Sequence, residues 1–333
     1  MIIFIVGPDR KIKGGIGTLM SILCRDNQRI RYLHENSNNF FLSLGNFIYV
    51  LFTIVFSNSD DIFHFNVSVK TNIARVYMFA LMAYIFNRKF IAHSHWFELP
   101  SRYSFRGRRF NFIYSRSSHA VFLSDYWRNQ FFEHGFSTMQ YSVIHNCADS
   151  ESFSEKVDSR DAFIFVGSLS KRKGVDILLE AYALYRNLAK EPKELILIGS
   201  ELKSKTIEFP KIPGLELWGE KSNNEVTKTI ASSSCLILPS QSEGVPIVLI
   251  EALLNSTPVI TTDTFGIESV LPSIRPFLVH YGDSVGLCNR MIDIDKLSGE
   301  QTKCFKQASV VFDDHRFKQE FNELYKKVAL LFR

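Results

Sequence analysis

Two carboxylates eight residues apart, Glu243 and Glu251, lie in PSQSEGVPIVLIEALLNSTPVITTD (239–263). A strand reads up to Pro239, Glu243-Gly244 forms a turn, and Pro246 stands where a helix begins and runs to about Leu254. Gly244 lets the backbone approach a ligand closely. The amides from Val245 to Val248 then offer an anion site at a helix N-terminus. Glu243 at the helix mouth and Glu251 two turns along can each accept paired hydrogen bonds from vicinal hydroxyls of a sugar or a ribose. The same pattern equally suits a plain helix, with Glu243 favouring its N-terminus and Glu251 on its surface.

Three further groupings could carry chemistry. In FVGSLSKRKGVDILLEAYAL (165–184), a strand ends at Gly167, and a basic loop holding Lys171, Arg172 and Lys173 leads to Gly174, which opens a helix. Cations there suit a diphosphate, and they also suit a solvated loop. GGIGTL (14–19) follows the first strand, but its spacing lacks the third glycine and tight turn of a dinucleotide fingerprint. It is read as a glycine loop, Gly14 and Gly15, offering amides to a phosphate or sugar. His64, His93 and His95 stand at strand ends. His93 and His95, two apart, share a face, but no third ligand is spaced for a metal.

These residues need an open α/β frame to bring them together. Apolar strands (2–7, 61–67, 89–95, 119–124, 141–146, then 162–169, 194–199, 215–219, 235–240 and 257–262) alternate with helical stretches (near 72–86, 174–190, 223–233, 246–254, 283–294 and 315–331). That alternation means βαβ units and parallel sheets. The pattern runs twice, with a polar break at 146–160. Two doubly wound domains facing across a cleft are expected, with ligands at the carboxyl ends of the strands.

With 333 residues, 46% of them apolar and 22% charged, the chain is an ordinary globular protein of two domains. The five cysteines form no disulfide or zinc framework and fit a reducing compartment. Residues 1–150 carry 16 Lys and Arg against 9 Asp and Glu, a charge of about +7 within a net +5. Such a basic half suits a solvated surface, an anionic membrane face or a phosphate-bearing substrate. Nothing matches a nucleic-acid motif. Residues 36–59 lack any charge and are strongly apolar. A buried crossover helix over about 46–57 is the favoured reading, ahead of a membrane-surface contact or a span. VYMFALMAYIF (76–86) is read the same way, as a helix against the sheet.

Together these segments resemble family 4 of the retaining glycosyltransferases, which have the GT-B fold of two Rossmann-like domains. Glu243 and Glu251 match the family's Glu-x7-Glu pair. Gly167, Leu169, Lys173 and Gly174 match its G-R-L-x-x-x-K-G segment. Ile144 through Asp149 to Phe153 look like its interdomain I-P-N-G-V-D-x-x-x-F. Gly14-Gly15, Asp61 to His64, and His95 match its glycine loop, first-domain strand and active-site histidine. Three positions depart from the pattern: Ser168 replaces an arginine, Cys147 a glycine, and Ser256-Thr257-Pro258 a G-x-P.

The resemblance implies an acceptor-binding domain at 1–150 and a nucleotide-sugar domain at 151–333, with a helix about 315–331 able to pack back on the first. Glu251 would bind the ribose and Glu243 the donor sugar. Lys173, Arg172, Ser168 and the backbone of Gly244, Val245 and Pro246 would hold the diphosphate of a UDP- or GDP-sugar without a metal or other cofactor. Arg172 would compensate for Ser168, His95 would lie against the sugar, and Gly15 would approach the diphosphate. The expected activity is retaining, metal-independent hexosyl transfer to a lipid-linked glycan. It would serve bacterial surface polysaccharide synthesis (O-antigen of lipopolysaccharide, capsule or exopolysaccharide) in the cytoplasm or peripherally at the inner membrane face. The alternatives are a non-catalytic glycan- or partner-binding GT-B protein and a sugar-nucleotide epimerase.

Overall fold

The computed structural model describes the chain except residues 9–14, 26, 36–38, 69–71, 96–97, 150–159, 201–206, 264–265 and 332–333. It divides into two compact units, residues 1–147 with 314–333, and residues 148–313. The expected linker falls mostly on residues 150–159, outside the described residues.

In the first unit β1 (Ile3–Gly7), α1 (Gly15–Cys24), β2 (Ile30–His34), α2 (Phe40–Phe56), β3 (Ile62–Val67), α3 (Ile73–Ile85), β4 (Lys89–Ser94), α4 (Phe105–Arg116), β5 (His119–Phe122), α5 (Asp125–Glu133) and β6 (Tyr141–Val143) follow one another. Every strand pairs in parallel, in the order β2-β1-β3-β4-β5-β6. All residues of β1, β3, β4 and β5 are buried. Strands covered on both faces read as continuous apolar runs, which is why the sequence marks them clearly.

The second unit runs β7 (Arg160–Val166), α6 (Val175–Leu188), β8 (Glu194–Ile198), β9 (Leu215–Gly219), α7 (Asn223–Ser232), β10 (Ser233–Leu238), α8 (Ile247–Leu254), β11 (Val259–Thr262), α9 (Ile267–Val270), β12 (Leu278–Val279), α10 (Ser284–Asp293) and α11 (Ser298–Val311). Its sheet is again parallel, in the order β12-β11-β10-β7-β8-β9. The chain ends with α12 (Asp314–Leu330), which belongs to the first unit and packs there against α1 and β3.

Strand order reverses between β1 and β3 in one sheet and between β7 and β10 in the other. At such a point the loops leaving two neighbouring strands diverge to opposite faces, and a crevice opens at their carboxyl ends. Each unit therefore presents one such crevice.

The expectation for residues 46–57 needs correction. The crossover helix α2 begins earlier, at Phe40, capped by Asn39, whose side chain accepts from the amides of Phe41 and Leu42. It is not buried: within it only Ser43, Val50 and Ile54 are. One side packs on α3, where Phe47 meets Phe79 at 5.2 Å between ring centres. The other side lies open among the described residues. No described helix is long and apolar enough to cross a membrane.

Candidate active site

The second unit's reversal point brings two sequence segments into direct contact. The loop after β7 turns through Lys171–Lys173 and meets the loop after β10. Gly174 allows this: its φ of 69° is left-handed, and a Cβ there would stand 1.9 Å from the Pro239 carbonyl oxygen. The backbones are stitched by Gln241 N donating to the Arg172 carbonyl (2.8 Å) and by Arg172 Nη1 donating to the Ser242 carbonyl (3.1 Å). Thr261 Oγ1 donates to the Leu238 carbonyl (3.0 Å) and Thr262 Oγ1 to that of Ser240 (2.5 Å), fixing the second loop from β11.

This contact pairs the Lys173 ammonium with the buried Glu243 carboxylate, and places Arg172 Nη1 3.8 Å from the same oxygen. A buried carboxylate needs such compensation, because losing one partner of a buried pair is costly. An ammonium has three N–H groups and Glu243 takes one. The remaining capacity suits an anion arriving at the crevice. Ser168 sits at the mouth of the first loop, with its Oγ 3.4 Å from that of Ser170. Lys173, Arg172 and Glu243 are thus brought together, while Ser168 lies against Ser170.

Pro246 is the N-cap of α8, so the helix starts where the sequence places it. The left-handed residue of this turn is not Gly244, however, but Val245, with φ 75°. A β-branched residue in that region is strained, and such strain collects at ligand-binding turns. Val245 is buried, so its side chain anchors the turn. The sequence gives no signal for a left-handed Val245. Glu251, on α8, has its carboxyl raised to about 7, by desolvation first and then by the nearby negative charge of Asp149. Asp149 stands out in the sequence only as part of the interdomain motif.

The first unit holds the other residues singled out from the sequence. Asn66 Nδ2 donates to the Val6 carbonyl (2.9 Å), so its Oδ1 faces His95 Nε2 at 2.8 Å. His95 therefore donates through Nε2. Burial pushes its pKa down to about 3, so the ring is neutral and Nδ1 keeps a lone pair. His93 lies beside it with its ring tilted by 47°, 4.1 Å between ring centres, and shares a hydrogen bond with His64 (Nδ1 to Nε2, 2.9 Å). Tyr325 of α12 closes the row through its hydroxyl, 2.7 Å from His64 Nδ1. Desolvation also lowers both of these histidines, His64 to about 3. His93 Nε2 has no hydrogen-bond partner among the described residues. Gly15 opens α1 and is exposed, and Gly14 lies outside the described residues.

Sequence reading missed Glu35, directly after β2. It is buried, accepts from Asn72 Nδ2 (2.8 Å), and is raised to about 7 by burial despite that bond and Arg75. Its one signal was an acid at the carboxyl end of a strand. No group of three His, Cys, Asp or Glu able to hold a metal is found among the described residues.

Comparison with known proteins adds relatives in sequence and in fold. Residues 148–280, all in the second unit, match the family of glycosyl transferases group 1. An uncharacterized glycosyltransferase of Methanocaldococcus jannaschii is 31% identical over 173 residues, covering 50% of this chain and 47% of that protein. TuaC, a Bacillus subtilis glycosyltransferase assigned provisionally to teichuronic acid biosynthesis, is 32% identical over 116 residues, 35% of this chain and 28% of its own. The chain thus spans half or less of the length of these relatives. The structure of Anabaena HepE, solved with UDP and glucose, superimposes with a TM-score of 0.79 at 17% identity, covering 98% of this chain and 100% of that one. The fold is therefore that of the GT-B glycosyltransferases, two Rossmann-like α/β units, and the second unit is related in sequence to glycosyl transferases group 1.

Proposed function

We propose that the protein is a retaining, metal-independent hexosyltransferase using a UDP- or GDP-sugar. The observation that carries this reading is the Arg172–Lys173–Glu243 cluster at the second unit's reversal point, beside the N-terminus of α8. In transfer, the C1–oxygen bond to the β-phosphate breaks and the diphosphate leaves with the bonding pair. The acceptor hydroxyl forms the new bond to C1 on the same face, and its proton passes to the departing phosphate oxygen. Lys173, Arg172 and the first-turn amides of α8 stabilise the charge that develops on that oxygen. They supply the cationic field that a divalent metal would otherwise give. Glu243 accepts from sugar hydroxyls and Glu251 from the ribose. Neutral His95 offers its Nδ1 lone pair to a sugar hydroxyl without adding charge.

HepE binds UDP and glucose, so UDP-hexoses are the first donors to try. The acceptor fits a lipid-linked glycan, in keeping with a basic first unit and with TuaC's assignment to a cell-surface polymer. Such a protein would act in the cytoplasm, at the inner membrane face of a bacterium. The test is donor hydrolysis in EDTA, followed by NMR of the released hexose before it mutarotates. Release of the α anomer by wild type, lost in Glu243→Ala, is expected. Release of the β anomer would contradict retention. Nucleotide binding without any turnover, unchanged in Glu243→Ala, would favour the non-catalytic alternative.

A further inference from the structure

The open side of α2 is the largest feature that the sugar-transfer reading leaves unused. In each of the crossovers β2-α2-β3, β3-α3-β4 and β4-α4-β5 the chain steps the same way along the sheet. Right-handed crossovers then put α2, α3 and α4 in a row on one face. The row is held by Arg75 Nη2 donating to Ser43 Oγ (2.9 Å), by Arg88 donating to the Ile54 and Val55 carbonyls at the end of α2, and by Phe112 against Tyr77 and Tyr84.

The outer side of this row is apolar where a soluble surface is normally polar. Phe41 is 79% exposed, Ile48 56%, Phe52 58% and Phe56 69%. At 100° per residue these four fall on one side of α2, opposite buried Val50 and Ile54. Met78 and Ile85 extend the apolar surface along α3. A contiguous patch of this kind marks an interaction site.

Charge selects the partner. From 36 to 124 the chain carries nine Lys and Arg against three Asp and Glu, and no acid stands between Glu98 and Asp125. Arg102, Arg106, Arg108 and Arg116 are exposed at the α4 end of the row. Arg109 lies over Phe105 at 3.9 Å and Arg116 over Tyr84 at 4.8 Å, so cations sit on the aromatic surface itself. A second copy meeting this face about a two-fold axis would set these arginines against each other with no acids to answer them. An anionic surface meets both features, because apolar side chains enter the acyl boundary while the arginine rim binds headgroups.

We propose that the exposed face of α2, with its arginine rim on α4, docks on an anionic phospholipid bilayer. This deepens the lipid-linked acceptor reading and rests on it for its purpose, but its physical warrant is the first unit alone. The test is co-sedimentation of the full chain with phosphatidylglycerol or phosphatidylcholine vesicles. Wild type should partition to the anionic vesicles and lose about tenfold or more when salt is raised from about 0.1 M to about 0.5 M. Phe41→Ser/Ile48→Ser/Phe52→Ser should lose about tenfold or more. These side chains are already in solvent, so the fold should stand, and Arg106→Gln/Arg108→Gln/Arg116→Gln tests the rim independently. Equal partition of wild type and both variants would overturn the proposal. So would a wild type that ignores vesicles but forms a dimer that the serine variant dissolves, which would assign the face to a second copy. Thermal shift by UDP- and GDP-sugars, read on the same samples, reports the sugar-transfer site separately. Its absence alongside vesicle binding would count against that function and leave the docking face standing.

Discussion

The two crevices share a topology and differ in chemistry. At the second unit's reversal point the side chains are ionic: Arg172, Lys173 and Glu243 converge from two loops. At the carboxyl ends of the first unit's strands they are buried and held near neutrality. His64, His93 and His95 are pushed far toward the uncharged form, and Glu35 is raised to about 7. Fixed cations suit a ligand that is charged at every working pH, such as a diphosphate. Neutral donors and acceptors suit hydroxyl groups, which they can order without repelling or trapping an ion. The difference accords with the division of labour proposed between donor diphosphate and sugar.

Substitution in the ionic crevice is expected to have the largest effect. Glu243→Gln or Lys173→Met should lower turnover by about 10²–10³, the usual cost of removing one preorganised electrostatic group. Loss of less than about threefold would break the comparison. Next is the contact that assembles the crevice. Gly174→Ala must relieve a 1.9 Å clash with the Pro239 carbonyl from a left-handed backbone. It should cost about 2 kcal/mol or more in urea unfolding.

The neutral crevice and Glu251 should respond to pH with opposite sign. A buried histidine binds its proton more weakly folded than unfolded, so its stabilisation is complete above about 6.5 and is lost as pH falls toward its folded pKa. His93→Gln, which removes such a group, should therefore be less destabilised relative to wild type at pH 4.5 than at pH 7. Glu251 is raised to about 7, so in the free protein it costs stability as pH rises from about 4.5 through 7. Glu251→Gln should gain on wild type across that window, by up to about 3 kcal/mol, with the gain complete above pH 7. Urea titrations at several pH values check both, and equal slopes in both variants would remove the distinction.

The ionic crevice was legible because its residues are consecutive in sequence and follow apolar strands. KRKG after β7 and SEGVP after β10 each announce a loop at a strand's carboxyl end. The neutral crevice was legible only in part. His64, His93 and His95 could be placed on strands, but their row closes through Tyr325, more than 200 residues away, and no local pattern reports that contact. Strand β2 escaped notice because IRYLH is a sheet edge with one buried residue, and α4 because FRGRRFNFIYSR has only a narrow apolar stripe. The exposure of α2 was hidden for the opposite reason. A helix apolar on all sides reads as buried, and only the structure shows that one side lies open among the described residues.

The most direct test of the central claim is a thermal-shift measurement of wild type and Lys173→Met against UDP- and GDP-sugars with EDTA present. The account predicts a shift with one nucleotide class that survives EDTA in wild type and is lost in Lys173→Met. A shift that appears only with a divalent metal, or that is unchanged in Lys173→Met, would contradict it.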